Sequence, residues 1–202
     1  PIGGRQSLFD VLISGVKTGE LQPFADEDFQ EPMSLEQVEK VFGAGEVQEE
    51  VPDPETGGTK TVTVQREINS ADVKQYLLKE EWFFDKKHSR LRVRIIGLCP
   101  VRVWDDAESA MGTQKQKTFW IYYPQARDLL VSNEVYNPHN DARQISFDDL
   151  FFKRRFDSYV QRVSNVYNNR LVAEPNTGVN AILKSEEVEN KIFEWEHDLW
   201  EY

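Results

Sequence analysis

The sequence predicts an α+β fold: a small antiparallel sheet with packed helices and extended acidic terminal segments. Three observations carry that expectation. Leu91, Val93 and Ile95 alternate with Arg92, Arg94 and Ile96, the period-two pattern of a half-buried strand. Residues 119–123 form a run of bulky β-formers that Pro124 ends. The strand candidates at 91–96, 101–104 and 118–123 are joined by segments too short for crossover helices, which disfavours a parallel α/β sheet. Pro100 marks a bend or sheet edge between the first two. The polar stretch 105–117 reads as the loop before the third.

Around this centre the elements follow in order. Ser7 with Asp10 three residues later is a capping signal for a helix from Leu8 to about Val16, which Gly15 and Gly19 break. Residues 21–32 are acidic and turn-rich, with Phe24 and Phe29 as isolated aromatics. Ser34 and Gln37 cap a second helix whose face is Leu35, Val38, Val41 and Phe42, ended by Gly43. Residues 47–51 and 59–65 flank the turn sequence PDPETGG and read as a projecting two-stranded hairpin. Asn69 and Ser70 cap a helix expected over 71–79, with Val73, Tyr76 and Leu77 inward. Residues 125–130 supply a turn of helix, and 135–144 (VYNPHNDARQ) a loop. Ser146 with Asp149 caps the strongest helical signal, with Leu150, Phe151, Tyr159, Val160, Val163 and Tyr167 at three- and four-residue spacings and Phe152 and Phe156 widening the stripe. A linker over 171–178 precedes an acidic helix expected from Ser185, with Val188, Ile192, Trp195 and Leu199 on one face. This order divides the chain into an arm with short helices and hairpin (1–66), an α+β core (67–184) and an acidic C-terminal helix (185–202).

Charge is placed unevenly. Residues 1–56 hold 13 Asp/Glu against 3 Lys/Arg, residues 57–184 hold 15 against 20, and residues 185–202 hold 7 against 1. A mildly basic body therefore carries two acidic ends, an arrangement suited to charge-guided docking as well as to self-complementary packing. The sequence pI of about 4.8 argues against nucleic acid as the main partner, since phosphate binding needs a dominant basic surface. No apolar run approaches the roughly 20 residues that span a bilayer. Pro1-Ile2-Gly3-Gly4 reads as a processed or engineered start with no leader, which says nothing about where the full-length protein lives. One cysteine, Cys99, excludes an intramolecular disulfide, and its apolar surroundings favour a buried thiol over a nucleophile.

Materials for chemistry are few. There is no Gly-rich phosphate loop, nucleophile elbow or paired-cysteine metal spacing, and neither a catalytic, a cofactor-binding nor a metal residue is assigned. His139 and Asp141 in NPHND, with Asp105 and Asp106, are the best candidates for an acid–base or metal site, but Pro, Asn and Asp together are more often turn chemistry. His88 belongs to a hairpin tip and His197 to an exposed helix face. Lys153, Arg154 and Arg155 form a basic cluster better read as a solvated face or partner contact than as a phosphate or lipid site. Phe9, Phe24 and Phe29 are large apolar groups in a stretch dense with acids. Such anchors suit an arm that lies along another surface, in this subunit or the next. With Trp195 these residues make the set of candidate partner contacts.

The blocks EWFFDKKHSRLRVRIIGLCPV, FWIYYPQARDLL, VYNPHNDA and SFDDLFFKRRFDSYVQRVSNVYNNR together resemble the gliding-motility and type IX secretion family called GldN or PorN. The strong blocks run from about 67 to 170; DVLISG and PDPETGG fit more loosely. The resemblance implies a periplasmic protein of Bacteroidetes-type bacteria, held at the inner face of the outer membrane by a GldK/PorK-type lipoprotein. It implies self-association with that lipoprotein in large rings and contact with the GldM/PorM-type periplasmic motor component. A non-enzymatic structural subunit follows from it. The alternative is a small periplasmic hydrolase or ligand-binding module using His139 and Asp141.

Overall fold

The computed structural model describes residues 6–52, 59–66, 68–105, 113–135, 144–164 and 179–198. It divides into two compact units, one of residues 1–81 with 95–153, the other of residues 82–94 with 154–202. The architecture is α+β with a small antiparallel sheet, as the sequence predicts.

In the larger unit, helix α1 (Leu8–Thr18) starts at a full capping box. The Asp10 amide donates to Ser7 Oγ at 3.1 Å, and the Ser7 amide donates back to Asp10. Gly15 does not break the helix. It lies inside it because a Cβ there would meet Leu129 Cδ2 at 2.7 Å, so α1 can approach the third helix only across a bare backbone. Gly19, with φ of 81°, closes α1 in the left-handed conformation. The short strand β1 (Pro23–Phe24) precedes helix α2 (Leu35–Val41), which the expected Ser34–Gln37 box caps. Strands β2 (Gly45–Pro52) and β3 (Thr59–Arg66) pair antiparallel in the expected hairpin; its turn, 53–58, lies outside the described residues.

The helix expected over 71–79 is a correction. Residues Ser70–Asp72 make one 3-10 turn, and β4 (Val73–Asp85) follows. The segment also carries Val73, Tyr76, Trp82, Phe83 and Phe84, residue types that favour strands, and a neighbouring strand decides the matter. That neighbour is β5 (Arg90–Asp105), one 16-residue strand in place of the two strands expected on either side of Pro100. Part of the expected 105–117 loop is also strand: β6 (Thr113–Lys117) pairs with the end of β5, Val101 against Lys117. Then β7 (Trp120–Tyr122) takes over the same edge, Leu98 against Ile121. Between these pairings β5 contributes Cys99 and Pro100, and the facing chain contributes Thr118, Phe119 and Trp120. The extra residue is a bulge. Pro100 sits where the partner changes, so its missing N–H interrupts no regular pairing, while its carbonyl accepts from the Thr118 amide (3.1 Å) and Oγ1 (2.8 Å). The main sheet runs β1-β7-β5-β4, with β6 also on β5.

Helix α3 (Tyr123–Ser132) begins where Pro124 ends the strand, with proline in its first turn where a missing N–H costs nothing. A two-residue bridge, β8 (Glu134–Val135) with β9 (Ile145–Ser146), leads to α4 (Phe147–Phe152). The core of this unit gathers Phe9, Leu12, Val38, Phe42, Leu98, Phe119, Ile121 and Leu130. Ring contacts run from Phe9 to Phe42 (5.1 Å) and on to Phe119 (6.5 Å).

In the smaller unit, residues 82–94 are the outer half of the β4–β5 hairpin, and α5 (Val179–Asp198) is the one helix among its described residues. Two expectations are corrected here. The stripe from Leu150 is no long helix over its described part: α4 stops at Phe152, Arg154 has φ of 48°, and residues 153–164 are turns and irregular chain, while Tyr167 lies outside the described residues. The reason is that this segment has other partners. The Arg154 guanidinium lies 5.5 Å from the Trp82 ring and 5.3 Å from that of Phe156, and the Val160 amide donates to Ser185 Oγ at 2.9 Å. Ser185, expected to open the C-terminal helix, is therefore a buried mid-helix acceptor, and α5 begins at Val179.

Candidate interaction surfaces

The acidic loop 25–32 is built on Asp26. Its carboxylate accepts the amides of Glu31 (2.8 Å), Gln30 (3.0 Å) and Asp28 (3.1 Å), and the Glu31 amide foremost holds its carboxyl below the usual range. That turn points Phe29, at φ of 58°, over Gly97, where its Cζ stands 2.6 Å from the position a Cβ would take. Phe29 meets Phe24 edge-on at 5.6 Å and Tyr122 at 5.4 Å. Lys79 Nζ closes the loop from the other side, donating to the Glu27 carbonyl (2.9 Å) and to Asp28 (2.7 Å). Phe9 is 1% exposed in the core. The three phenylalanines read as candidate anchors are thus used within their own unit.

The other candidates stand at the surface. Lys153 pairs with Asp149 at 2.6 Å, Arg155 is exposed, and Trp195 is 53% exposed on α5. His197 is exposed on α5 as expected. His139, Asp141 and Asp106 lie outside the described residues. Among the described residues no group of three His, Cys, Asp or Glu could hold a metal ion. Cys99 is buried, and burial pushes its thiol up to about 11, which makes it a poor nucleophile at neutral pH.

One charge cluster is structural. Asp148 takes a two-pronged contact from Arg127 (Nε and NH2, each 3.1 Å) and the Tyr123 hydroxyl at 2.9 Å, tying α3 to α4. Burial and this acceptor raise the Tyr123 hydroxyl far above its ordinary range.

Two surfaces escaped the sequence reading. At the β4–β5 tip, residues 85–94 carry five Lys/Arg against Asp85 alone. Asp85 accepts from His88 Nδ1 (2.7 Å), the Lys87 amide (3.0 Å) and Arg92 Nε (3.0 Å), and its carboxyl is lowered by the His88 bond first. Arg90, Arg92 and Arg94 are exposed at alternate positions. On α5, Val179, Ile182, Leu183 and Phe193 are 55–71% exposed beside Glu186 and Glu194. The signals were present, basic density in one case and apolar residues off the expected face in the other. Strand periodicity and a late helix start concealed them.

These features define a small α+β protein whose conspicuous chemistry is exposed charge beside exposed apolar side chains. The family model described as the gliding motility associated protein GldN matches residues 2–201, and the chain belongs to that family. Comparison with curated proteins finds no match. Among the described residues no helix is long and apolar enough to cross a membrane.

Proposed function

We propose that this GldN-family chain is a non-enzymatic structural subunit of the type IX secretion and gliding apparatus. In this reading it works in the periplasm at the inner face of the outer membrane, assembled into rings with a GldK/PorK-type lipoprotein and touching the GldM/PorM-type motor component. The observation that supports it is family membership across residues 2–201. The surfaces described above suit such a role, because interface energy concentrates in exposed aromatic and Arg groups with charged surroundings. Co-expression with the lipoprotein, affinity capture on either partner and mass measurement of the product test it. A stable, stoichiometric complex larger than a one-to-one pair is expected. Two partners that elute separately at low and high salt would overturn the reading.

A further inference from the structure

The smaller unit carries two surfaces of equal and opposite formal charge. Its hairpin tip, residues 85–94, has five Lys/Arg against one Asp, and α5 has six Asp/Glu against Lys184 and Lys191. Both lysines are committed to Glu187 at 2.7 Å, which holds that carboxyl down at about 2. Glu186 and Glu194 have no ion pair among the described residues, nor does Arg90. Arg94 leans on the Phe83 ring at 5.3 Å, which holds its guanidinium without neutralising it.

Spacing makes the two surfaces fit. Arg90 and Arg94 are four residues apart on an extended strand, about 13 Å. Glu186 and Glu194 are eight apart on a helix, about 12 Å. Both glutamates line a shallow, open depression on α5 with Leu183, Glu187, Asn190 and Lys191; its three carboxylates outnumber the one ammonium, which is paired to Glu187, so a planar guanidinium can enter against Leu183. Ile182 and Phe193, 62% and 67% exposed, flank it as apolar anchors.

We propose that Arg90 and Arg94 at the hairpin tip of one copy dock on Glu186 and Glu194 of α5 in a second copy. The contact is head to tail: it joins unlike surfaces, so a joined pair keeps one tip and one helix free for further neighbours. It rests on the reading of the chain as a self-associating subunit and names the surfaces that meet.

Charge reversal tests it on the full chain by sedimentation velocity, over a wide concentration range at low and high salt. The wild type should associate reversibly, and less so as salt rises. The pairs Arg90→Glu with Arg94→Glu, and Glu186→Lys with Glu194→Lys, should each weaken self-association by about tenfold or more. Mixing the two variants should restore it, since each then offers the complement of the other. The milder pair Arg90→Gln with Arg94→Gln should give an intermediate loss, and circular dichroism reports whether each variant is folded. A monomeric wild type, reversals without effect, or a mixture no more associated than its parts would overturn the pairing. So would tip variants that lose only their binding to anionic phospholipid vesicles, which would make the tip a membrane contact. Capture of the same variants by the lipoprotein is measured separately: its persistence leaves the proposed function standing when the pairing fails.

Discussion

Gly97→Ala should peel the acidic loop from the sheet. A Cβ at this position would lie 2.6 Å from Phe29 Cζ, 3.2 Å from Phe29 Cε1 and 3.3 Å from Trp120 Cε3. Carbon atoms rest at about 3.5–4.0 Å, so the Phe29 ring must retreat by about 1 Å. It has little freedom to do so, being set against Phe24 and Tyr122 and held by a turn that Asp26 fastens. Overpacking of this kind costs about 1–3 kcal/mol. At roughly 2–4 °C for each kcal/mol in a chain of this size, thermal unfolding should report it clearly. Phe29→Ala alone should also destabilise, by about 1–3 kcal/mol for a half-buried ring. The double variant is the informative one. With the ring gone the new methyl has room, so the double should cost no more than Phe29→Ala, and the single effects should overshoot it by about 1 kcal/mol or more. Additive effects, or a neutral Gly97→Ala, would refute the assignment of Phe29 to this contact.

Gly15→Ala should lower the unfolding temperature by a similar mechanism, at about 1–3 kcal/mol, because its methyl meets Leu129 and Leu21 between α1 and α3. Asp148→Asn should cost roughly 1–3 kcal/mol in denaturant unfolding by weakening the charged contacts that tie α3 to α4. Asp85 has a folded pKa below its ordinary 3.8, so its contribution is present above 3.8 and is lost as pH falls through the lower, folded value; Asp85→Asn should flatten that part of the acid-unfolding curve. Cys99 should react with an aromatic disulfide reagent at pH 8 only at the rate of unfolding, and at once in denaturant. Alanine at His139 or Asp141 should leave secretion intact in cells that accumulate the protein normally; complete loss of secretion with normal assembly would favour a hydrolase.

Local signals were legible wherever a residue's own neighbours in sequence supply its partner. The Ser7–Asp10 and Ser34–Gln37 boxes satisfy amides three residues away, and both helices start where those boxes put them. The strand at residues 91–96 was legible for the same reason, through its period, and the run 118–123 was legible at its centre, Trp120–Tyr122, while Tyr123 already belongs to α3. Readings failed where a partner distant in sequence decides. Val73 and Tyr76 read as helix until β5 lies beside them, and TQKQK reads as loop until Val101 to Asp105 offers it an edge. After Phe152 a helical stripe exists in the sequence, but Trp82 draws Arg154 away and Ser185 takes the Val160 amide. No window of neighbouring residues contains those contacts.

The same logic separates two meanings of an aromatic residue in acidic surroundings. Phe24 and Phe29 stand among Asp26, Glu27, Asp28 and Glu31, a pattern that fits an anchor for a neighbour. Gly97 gives Phe29 a place within its own unit: the missing Cβ leaves room that the ring occupies, and the Asp26 turn delivers the ring to it. Asp26 accepts backbone amides there and Asp28 accepts Lys79, so both carboxylates are part of the fold. On α5 the situation is reversed. Ile182 and Phe193 are well exposed, and among the described residues no glycine opposite them is vacant, Glu186 has no ion pair and Glu194 has the attraction of Lys191 without a direct pair. An apolar group whose acidic neighbours are already engaged is packing. One whose acidic neighbours lack a direct ion pair is available surface, and α5 is the docking surface for that reason.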